Sequence, residues 1–547
     1  MSSIFRFDAK VLGRGFGYDV RGKDGPDGNL TPELAHRTGR ALGSRLPAGS
    51  RVFVTGDARL TTPVLISQLM KGYVEQGHNV VGVGTHTPTG IATWYIIQNK
   101  YNGSVVVSGS HNPVGDNGFK ITQDGRAVYG RELSSLEELI ANGVPDRPLG
   151  TLTVIPDIMP NFQLMLGRVF KPYKHQHRII LDCGDGIGGG IMEALQRNGA
   201  EVRGYNLAPN GAFPTYGMAN PSKEVCTDPL CARVKEANSQ LSQNEAKFIG
   251  MMLDGDGDRV AFVTEDGRVF HPEKNAALYY REYLRALKAG QVPEMYGNYM
   301  ALDVRATRST LAMIAREGGI GYYIQAGYPA HREWASSLIP SIGKQTVTRT
   351  SAEASGHFFE PSAFYGANGE TYPEFAAALI DDGYFMGMRM MEIIDTYGCT
   401  LNELLDQIPS QPFLPETRAK IEAEHKLSVM ATMPDAFRQL FTGQLKEQKS
   451  DVLIYGGLRI QHPDNGLILV DGVKALLTDG SSALVRASNT GNELSFLFEA
   501  PTYTRLAEVV SQVLSVLSPY AEPHPANLVL NELNKKFAQI KTLAAQE

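Results

Sequence analysis

The sequence predicts a multidomain α/β protein, with three similar α/β domains followed by an α+β domain. Three observations carry that reading. A strand–loop–helix–glycine–strand unit recurs at 51–84, 177–206 and 298–327, the pattern of βαβ units in sheets flanked by helices. The chain has 547 residues, well beyond the ~250–300 at which a single core stops growing. From about residue 400 the pattern changes to an α+β type, and residues 470–500 read as antiparallel strands with a hairpin turn at Asp479-Gly480.

The elements follow in chain order. In the first unit, RVFVTG supplies an apolar, β-branched strand, TTPVLISQLMKGYVEQG a helix ending at glycine, and HNVVGVG the returning strand. HRIILDCGDG to AEVRGYN repeats this, as does NYMALDVRAT to GYYIQAG. Beyond the hairpin, 504–517 reads as a surface helix, and the polar tail from Pro519 reads as loosely held. The expected domains are 1–156, 157–268, 269–400 and 401–547.

Composition excludes some functions. There are 52 basic and 58 acidic residues, a formal net charge of -6. That argues against a nucleic-acid partner, whose phosphate backbone calls for a basic surface, while leaving room for a locally positive pocket. Cys183, Cys226, Cys231 and Cys399 form no CxxC pair and match no zinc spacing, so reduced thiols and a cytoplasmic location are expected. The N-terminus lacks the apolar stretch of a signal peptide, and no membrane span is expected.

Two stretches carry chemistry. VVVSGSHNPVGDNGFKI (105–121) leaves a core-strand pattern for a polar loop with Ser110 and His111, and ends near Lys120; alone it reads as a surface loop. MMLDGDGDRVAFV (251–263) sets Asp254, Asp256 and Asp258 at alternate positions between apolar runs. In an extended segment they share a face, and Gly255 and Gly257 let the backbone bend around something small. Three crowded carboxylates repel unless a cation neutralises them, and all-oxygen ligation suits Mg²⁺ or Mn²⁺. A calcium EF-hand is disfavoured, since Arg259 stands where that loop needs glycine and apolar strands replace the flanking helices. Such a cation commonly takes a phosphate oxygen, and a seryl phosphate at Ser110 supplies one.

GSHNP with NGFKI and DGDGDR together resemble the α-D-phosphohexomutase family, in its phosphomannomutase/phosphoglucomutase branch. The resemblance runs from YDVRG (18–22) to RASNT (486–490). It implies four domains around a central cleft, three α/β with mixed sheets and a C-terminal α+β domain. It further implies interconversion of hexose 1- and 6-phosphates through an enzyme phosphoserine, with Mg²⁺ as cofactor and a hexose 1,6-bisphosphate as intermediate and activator. Ser110 is then the phosphorylated residue and, with Asp254, Asp256 and Asp258, a metal ligand. Arg21 and Arg259 face the reacting phosphate, and His111 and Lys120 support proton transfer and charge stabilisation. Lys120 is the first candidate base, which needs a pKa depressed by nearby cations; His111 is the second.

By the same resemblance Glu353 and Ser355 read sugar hydroxyls, with His357 behind them, and His331 of QAGYPAHREW fills the role of a third-domain histidine. Tyr18, Arg486, Ser488, Asn489 and Thr490 are assigned to phosphate; a guanidinium fork with hydroxyl and amide donors suits its oxygens. In NGAFPTYGMANP (210–221), Asn210 and Tyr216 replace the acidic residue and histidine usual in the family. Residues 360–376 read as an enlarged loop, expected either to bear on substrate choice or to be a surface insertion. The expected activity is a mutase on mannose and/or glucose phosphates, with small-molecule hexose phosphates as its partners. Its alternatives are a phosphoglucosamine mutase, a glucose-only phosphoglucomutase, a haloacid-type phosphatase and a non-catalytic sugar-phosphate-binding protein. The sequence leaves the oligomeric state open.

Overall fold

The computed structural model describes residues 7–15, 18–84, 86–292, 294, 297–336, 350–359, 381–446, 452–455, 457–488 and 491–547. Four sheets organise the chain, one to a domain. The domains belong to two compact units, one of residues 1–294 and 355–406, the other of 295–354 and 407–547.

All three expected βαβ units form. Arg51–Gly56 pairs in parallel with Asn79–Val83, Arg178–Asp182 with Glu201–Tyr205, and Tyr299–Asp303 with Ile320–Ile324. The intervening helices Thr62–Glu75, Ile191–Arg197 and Arg308–Arg316 are each followed by a glycine, Gly77, Gly199 and Gly318, at φ +81°, +100° and +84°. That left-handed residue closes the last helical turn and returns the chain to the sheet.

In the first unit, one sheet runs Val20–Lys23, Asp116–Gln123, Gly103–Val107, Arg51–Gly56, Asn79–Val83, Thr151–Ile155. Its first two junctions are antiparallel and the rest parallel. The second sheet runs Val269–Phe270, Val260–Val263, Phe248–Leu253, Arg178–Asp182, Glu201–Tyr205. Each sheet therefore has antiparallel hairpins grafted onto a parallel core, the first carrying Arg126–Ala127 on Asp116–Gln123 as well. The serine loop joins Gly103–Val107 to Asp116–Gln123, and the acidic loop joins Phe248–Leu253 to Val260–Val263.

In the second unit, Ser351–Ala352, Tyr299–Asp303, Ile320–Ile324, Leu458–Gln461 and Leu453–Tyr455 lie side by side. The last two strands were expected in the fourth domain; they pair instead with Ile320–Ile324 and each other. The helix Gly383–Tyr397, expected in the third domain, lies in the first unit. The remaining sheet is antiparallel throughout, in the order Phe413–Lys420, Glu493–Glu499, Ser482–Ala487, Val473–Leu476, Leu467–Ile468. Its turn at Asp479-Gly480 forms as expected, with Gly480 at φ +98°.

The C-terminal expectation needs correction. Tyr503–Leu517 buries Leu506, Val509, Val510, Val513 and Leu517 in the core with Phe437, Val485 and Phe496. Each such side chain stabilises by about 1.5–3 kcal/mol when fully buried. The tail is also held: Val529 N–H donates to Lys420 O at 2.9 Å, and the helix Asn531–Ala544 places Leu533 and Ile540 in the same core. Among the described residues no helix is long and apolar enough to cross a membrane, and the four cysteines are free thiols.

Candidate active site

Strand Gly103–Val107 leads into residues 108–115 and Asp116–Gln123 leads back, with Ser108 N–H on Gly118 O at 3.0 Å. Ser110 is 2% exposed and has φ +50°, a left-handed backbone that costs an L-residue roughly 1–2 kcal/mol. Its N–H donates to Ser108 Oγ at 2.8 Å, and its own Oγ lies 3.1 Å from His111 Nδ1. Strand register sets Lys120 opposite Val106 and Arg21 opposite Gly118. Residues 118 and 120 share a face, so both cations emerge on one side of the sheet. Arg21 grips Asp19 with Nε and Nη2 and donates from Nη1 to Ser108 O at 2.9 Å. Tyr18, just before this strand, is half-buried.

The acidic loop joins Phe248–Leu253 to Val260–Val263 in a tight turn, with the bend expected of its glycines. Its carboxylates converge because Gly257, at φ +73°, reverses the chain; Gly257 N–H donates to Asp254 O and Arg259 N–H to Asp254 Oδ1, both at 3.2 Å. Asp256 Oδ2 accepts from Thr89 Oγ1 (2.6 Å), Ser108 Oγ (2.7 Å) and Lys120 Nζ (2.7 Å). Lys120 Nζ also donates to Asp258 Oδ2 at 2.6 Å. One oxygen of each carboxylate, Asp254 Oδ2, Asp256 Oδ1 and Asp258 Oδ1, has no hydrogen-bond partner among the described residues. The three groups offer ligand atoms within 4.8 Å of one another. Arg259 Nε lies 3.5 Å from Asp254 Oδ2 and 3.9 Å from Asp258 Oδ1, and three buried carboxylates with these oxygens free of hydrogen bonds are a donor set that fits a small divalent cation.

The two motifs touch. A Cβ built on Gly255 would lie 2.6 Å from the Ser110 carbonyl oxygen, so this position admits only glycine without a shift. Arg259 donates from Nε to His357 Nε2 at 3.0 Å, and His357 Nδ1 lies 3.1 Å from an Asp381 oxygen. An imidazole that accepts at Nε2 carries its proton on Nδ1, facing Asp381. His357 is 2% exposed, and these contacts make it a brace for Arg259. Asp258, His357 and Asp381 form a second potential metal-ligating group that shares Asp258 with the first.

Burial pushes the Asp254 carboxyl well above the usual range, and the charges of Asp258 and Asp256 add to this. Burial acts the same way on Asp256, but Lys120 and the hydroxyls of Thr89 and Ser108 outweigh it and hold that carboxyl below the usual range. Burial alone would lower Lys120, yet the charges of Asp256 and Asp258 raise it. The depressed lysine pKa expected for a base is therefore not found, because the charges of Asp256 and Asp258 outweigh that of Arg21. His111 is pushed well down, first by burial and then by the charges of Arg259 and Arg21. Burial pushes Asp382 up to about 8; its carboxylate accepts from Phe385 N–H at the start of Gly383–Tyr397.

The second unit holds another charged cluster. Arg305 donates from Nε and Nη2 to Asp303, both at 3.0 Å, and from Nη2 to Glu353 Oε1 at 2.5 Å. Its Nη1 lies 3.5 Å from Glu416 Oε2, and Glu416 Oε1 lies 3.9 Å from Arg486 Nη1. Arg486 Nη2 donates to Asp471 Oδ2 at 2.8 Å. Ser488 is nearly buried, and Lys426 Nζ braces its turn from the carbonyls of Ser488 (2.9 Å) and Gly491 (3.0 Å). His331 is fully buried on the helix Tyr328–Ser336. Tyr328 follows Gly327 directly; it is half-exposed, and its hydroxyl accepts from Arg332 Nη1 at 2.8 Å. Ser355 belongs to the first unit, and its buried Oγ lacks a hydrogen-bond partner among the described residues. Asn489, Thr490 and the 360–376 loop lie outside the described residues.

Thr89, Ser108, Arg59, Arg305 and Lys426 escaped the sequence reading. Arg59 and Arg305 share one signal that could have found them: each follows a core strand in a D-x-R triplet, Asp57-Ala58-Arg59 and Asp303-Val304-Arg305. Nothing local marks the others.

Comparison with known proteins agrees with this arrangement. Family models for phosphoglucomutase/phosphomannomutase match alpha/beta/alpha domain I at residues 15–144, alpha/beta/alpha domain II at 167–267 and the C-terminal domain at 420–516, together more than half of the chain. A phosphomannomutase/phosphoglucomutase of Pseudomonas aeruginosa is 28% identical over 500 residues, 90% of this chain and 92% of the relative. A phosphoglucomutase of Neisseria gonorrhoeae is 26% identical over 514 residues, 93% and 96% of the two chains. The crystal structure of a phosphoglucomutase/phosphomannomutase family protein from Burkholderia thailandensis superposes with a TM-score of 0.73 at 24% identity, covering 96% of this chain and 100% of that one.

Proposed function

The chain belongs to the α-D-phosphohexomutase superfamily, in its phosphoglucomutase/phosphomannomutase branch, and from that premise we propose a Mg²⁺-dependent mutase acting on mannose and/or glucose phosphates. Phosphoryl transfer of the phosphohexomutase type is the family's reaction; the phosphoserine route and the sugar are our reading. The observation that carries it is the direct contact of the Ser110 loop with the acidic turn, whose three carboxylates each keep one buried oxygen without a donor.

The transfer is mainly a matter of placement and charge. The phosphoryl group leaves Ser110 Oγ and bonds to the free sugar hydroxyl, giving a hexose 1,6-bisphosphate. After that intermediate turns end over end, the second transfer returns a phosphoryl group to Ser110. In the first transfer the proton shed by the attacking sugar hydroxyl is matched by the one the departing Ser110 Oγ takes up, and the second transfer reverses this; His111, whose Nδ1 lies 3.1 Å from Ser110 Oγ, passes the proton at the serine. Lys120 remains protonated between Asp256 and Asp258 and, with Arg21 and Arg259, balances charge on the transferring oxygens. When bound by Asp254, Asp256, Asp258 and a Ser110 phosphate oxygen, Mg²⁺ supplies Lewis-acid stabilisation of that charge. Arg486 and Ser488 are assigned to the resting phosphate and Glu353 to the sugar hydroxyls.

The test incubates the protein with mannose 1-phosphate or glucose 1-phosphate, Mg²⁺ and a trace of glucose 1,6-bisphosphate. Rapid formation of the 6-phosphate with little free phosphate is the expected result; free phosphate alone indicates a hydrolase, and neither product a binding protein. Intact-mass measurement should show a phosphoryl adduct that Ser110→Ala loses. An adduct that survives in this variant refutes the assignment of Ser110. Parallel turnover on glucosamine phosphate ranks the sugars.

A further inference from the structure

We propose that Arg59 is a positioning residue for phosphoryl transfer, its buried guanidinium fixing the backbone of the Ser110 loop in reactive geometry; this rests on the mutase reading above. Arg59 lies just beyond the strand Arg51–Gly56 and is 2% exposed. Nε donates to Asp57 Oδ2 at 3.2 Å. Nη1 donates to Pro113 O at 2.9 Å and Asp116 O at 2.7 Å, and Nη2 to Ser110 O at 2.9 Å and Asn112 O at 2.6 Å. All five side-chain N–H donors are thus committed, four of them to carbonyls of one loop.

A guanidinium placed only to neutralise Asp57 would not need those four carbonyls. Their arrangement determines how the loop is folded. Asp57 completes the grip by accepting from Gly109 N–H at 3.2 Å, and a Cβ at Gly109 would lie 2.4 Å from Arg59 Cζ, so glycine leaves the room the guanidinium occupies. The Phe213 ring covers the group, 5.0 Å from Cζ to its centroid. The Ser110 carbonyl is held between Arg59 and Gly255, which over-determines the φ of +50° at Ser110.

The experiment uses full-length Arg59→Lys, which keeps the charge but replaces a planar five-donor fork with one nitrogen. Phosphoserine content is read by intact mass, and turnover of glucose 1-phosphate is expressed per phosphorylated molecule. We expect that kcat to fall about 100-fold, as for a misplacement near 1 Å, with KM changed less than about threefold. A purely structural role would lower the melting temperature and the phosphorylated fraction while leaving kcat per phosphorylated molecule intact; that result overturns the inference. If Arg59→Lys does not fold, Phe213→Leu uncovers the guanidinium without removing a donor; a fall in kcat per phosphorylated molecule at unchanged KM supports the inference, and an unchanged kcat overturns it. A wild-type protein with neither adduct nor turnover overturns the mutase reading and the inference with it. An active wild type with an indifferent Arg59→Lys overturns the inference alone.

Discussion

Replacing Gly255 by alanine tests the contact on which the proposed chemistry depends. The new methyl carbon would sit 2.6 Å from the carbonyl oxygen of Ser110, about 0.8 Å inside the 3.4 Å of an ordinary contact. The neighbour is backbone gripped by Arg59, so it cannot swing aside as a side-chain tip would. Overpacking of this kind costs about 1–3 kcal/mol. Most of the displacement should fall on the spacing between the serine loop and the acidic turn, where about 1 Å lowers turnover roughly 100-fold. The assay pairs urea denaturation with isomerisation of glucose 1-phosphate at saturating Mg²⁺, and Gly49→Ala serves as control. Gly49 has φ +77° and nothing within 4 Å of a built Cβ, so its change loses about 1 kcal/mol of stability through backbone strain and leaves turnover alone. Gly255→Ala with the denaturation midpoint and turnover of the wild type would refute the contact.

Two further outcomes follow from the electrostatics. Asp382, pushed up to about 8, keeps in the folded state a proton that the unfolded chain loses near pH ~3.9. Its contribution to stability therefore declines as pH rises between those values and is gone above the higher one. Asp382→Asn keeps the acceptor for Phe385 N–H, so its urea midpoint should gain on the wild type steadily from pH 5 to 8; a pH-independent difference contradicts the assignment. Asp254, raised by burial and by Asp258 and Asp256, must ionise to hold a cation. The rise in melting temperature on adding Mg²⁺ should then grow as pH increases and vanish in Asp254→Asn, with about 2.7 kcal/mol expected at 100 times the dissociation constant.

What the sequence disclosed, and what it hid, follows from the range of the forces involved. The βαβ units were legible because strand, helix and closing glycine are local signals, and Gly77, Gly199 and Gly318 stand where each helix ends. The acidic loop was legible as composition and as a bend at its glycines, but carboxylates on an extended strand and carboxylates around a turn have the same spacing, so how the three converge was not. Lys120 was misjudged because the sign of its shift is set by Asp256 and Asp258, 136 and 138 residues away in sequence. The C-terminal tail looked polar because Leu533 and Ile540 are sparse, and the core that receives them is assembled from distant strands. The D-x-R triplet could have flagged Arg59 but not its role: main-chain carbonyls are present at every position, so its partners leave no mark in the sequence.

The ion pair between Arg486 and Asp471 has a consequence for which molecules can engage that end of the chain. The arginine is already engaged before any ligand arrives, with Nη2 2.8 Å from the aspartate. Asp471 also receives the Ala326 N–H at 3.1 Å, and so keeps a donor if the arginine turns away. A guest must therefore outcompete an internal anion. On the proposed phosphate-binding role of Arg486, a doubly charged phosphate brings charge to exchange for the aspartate, whereas an uncharged hexose brings none.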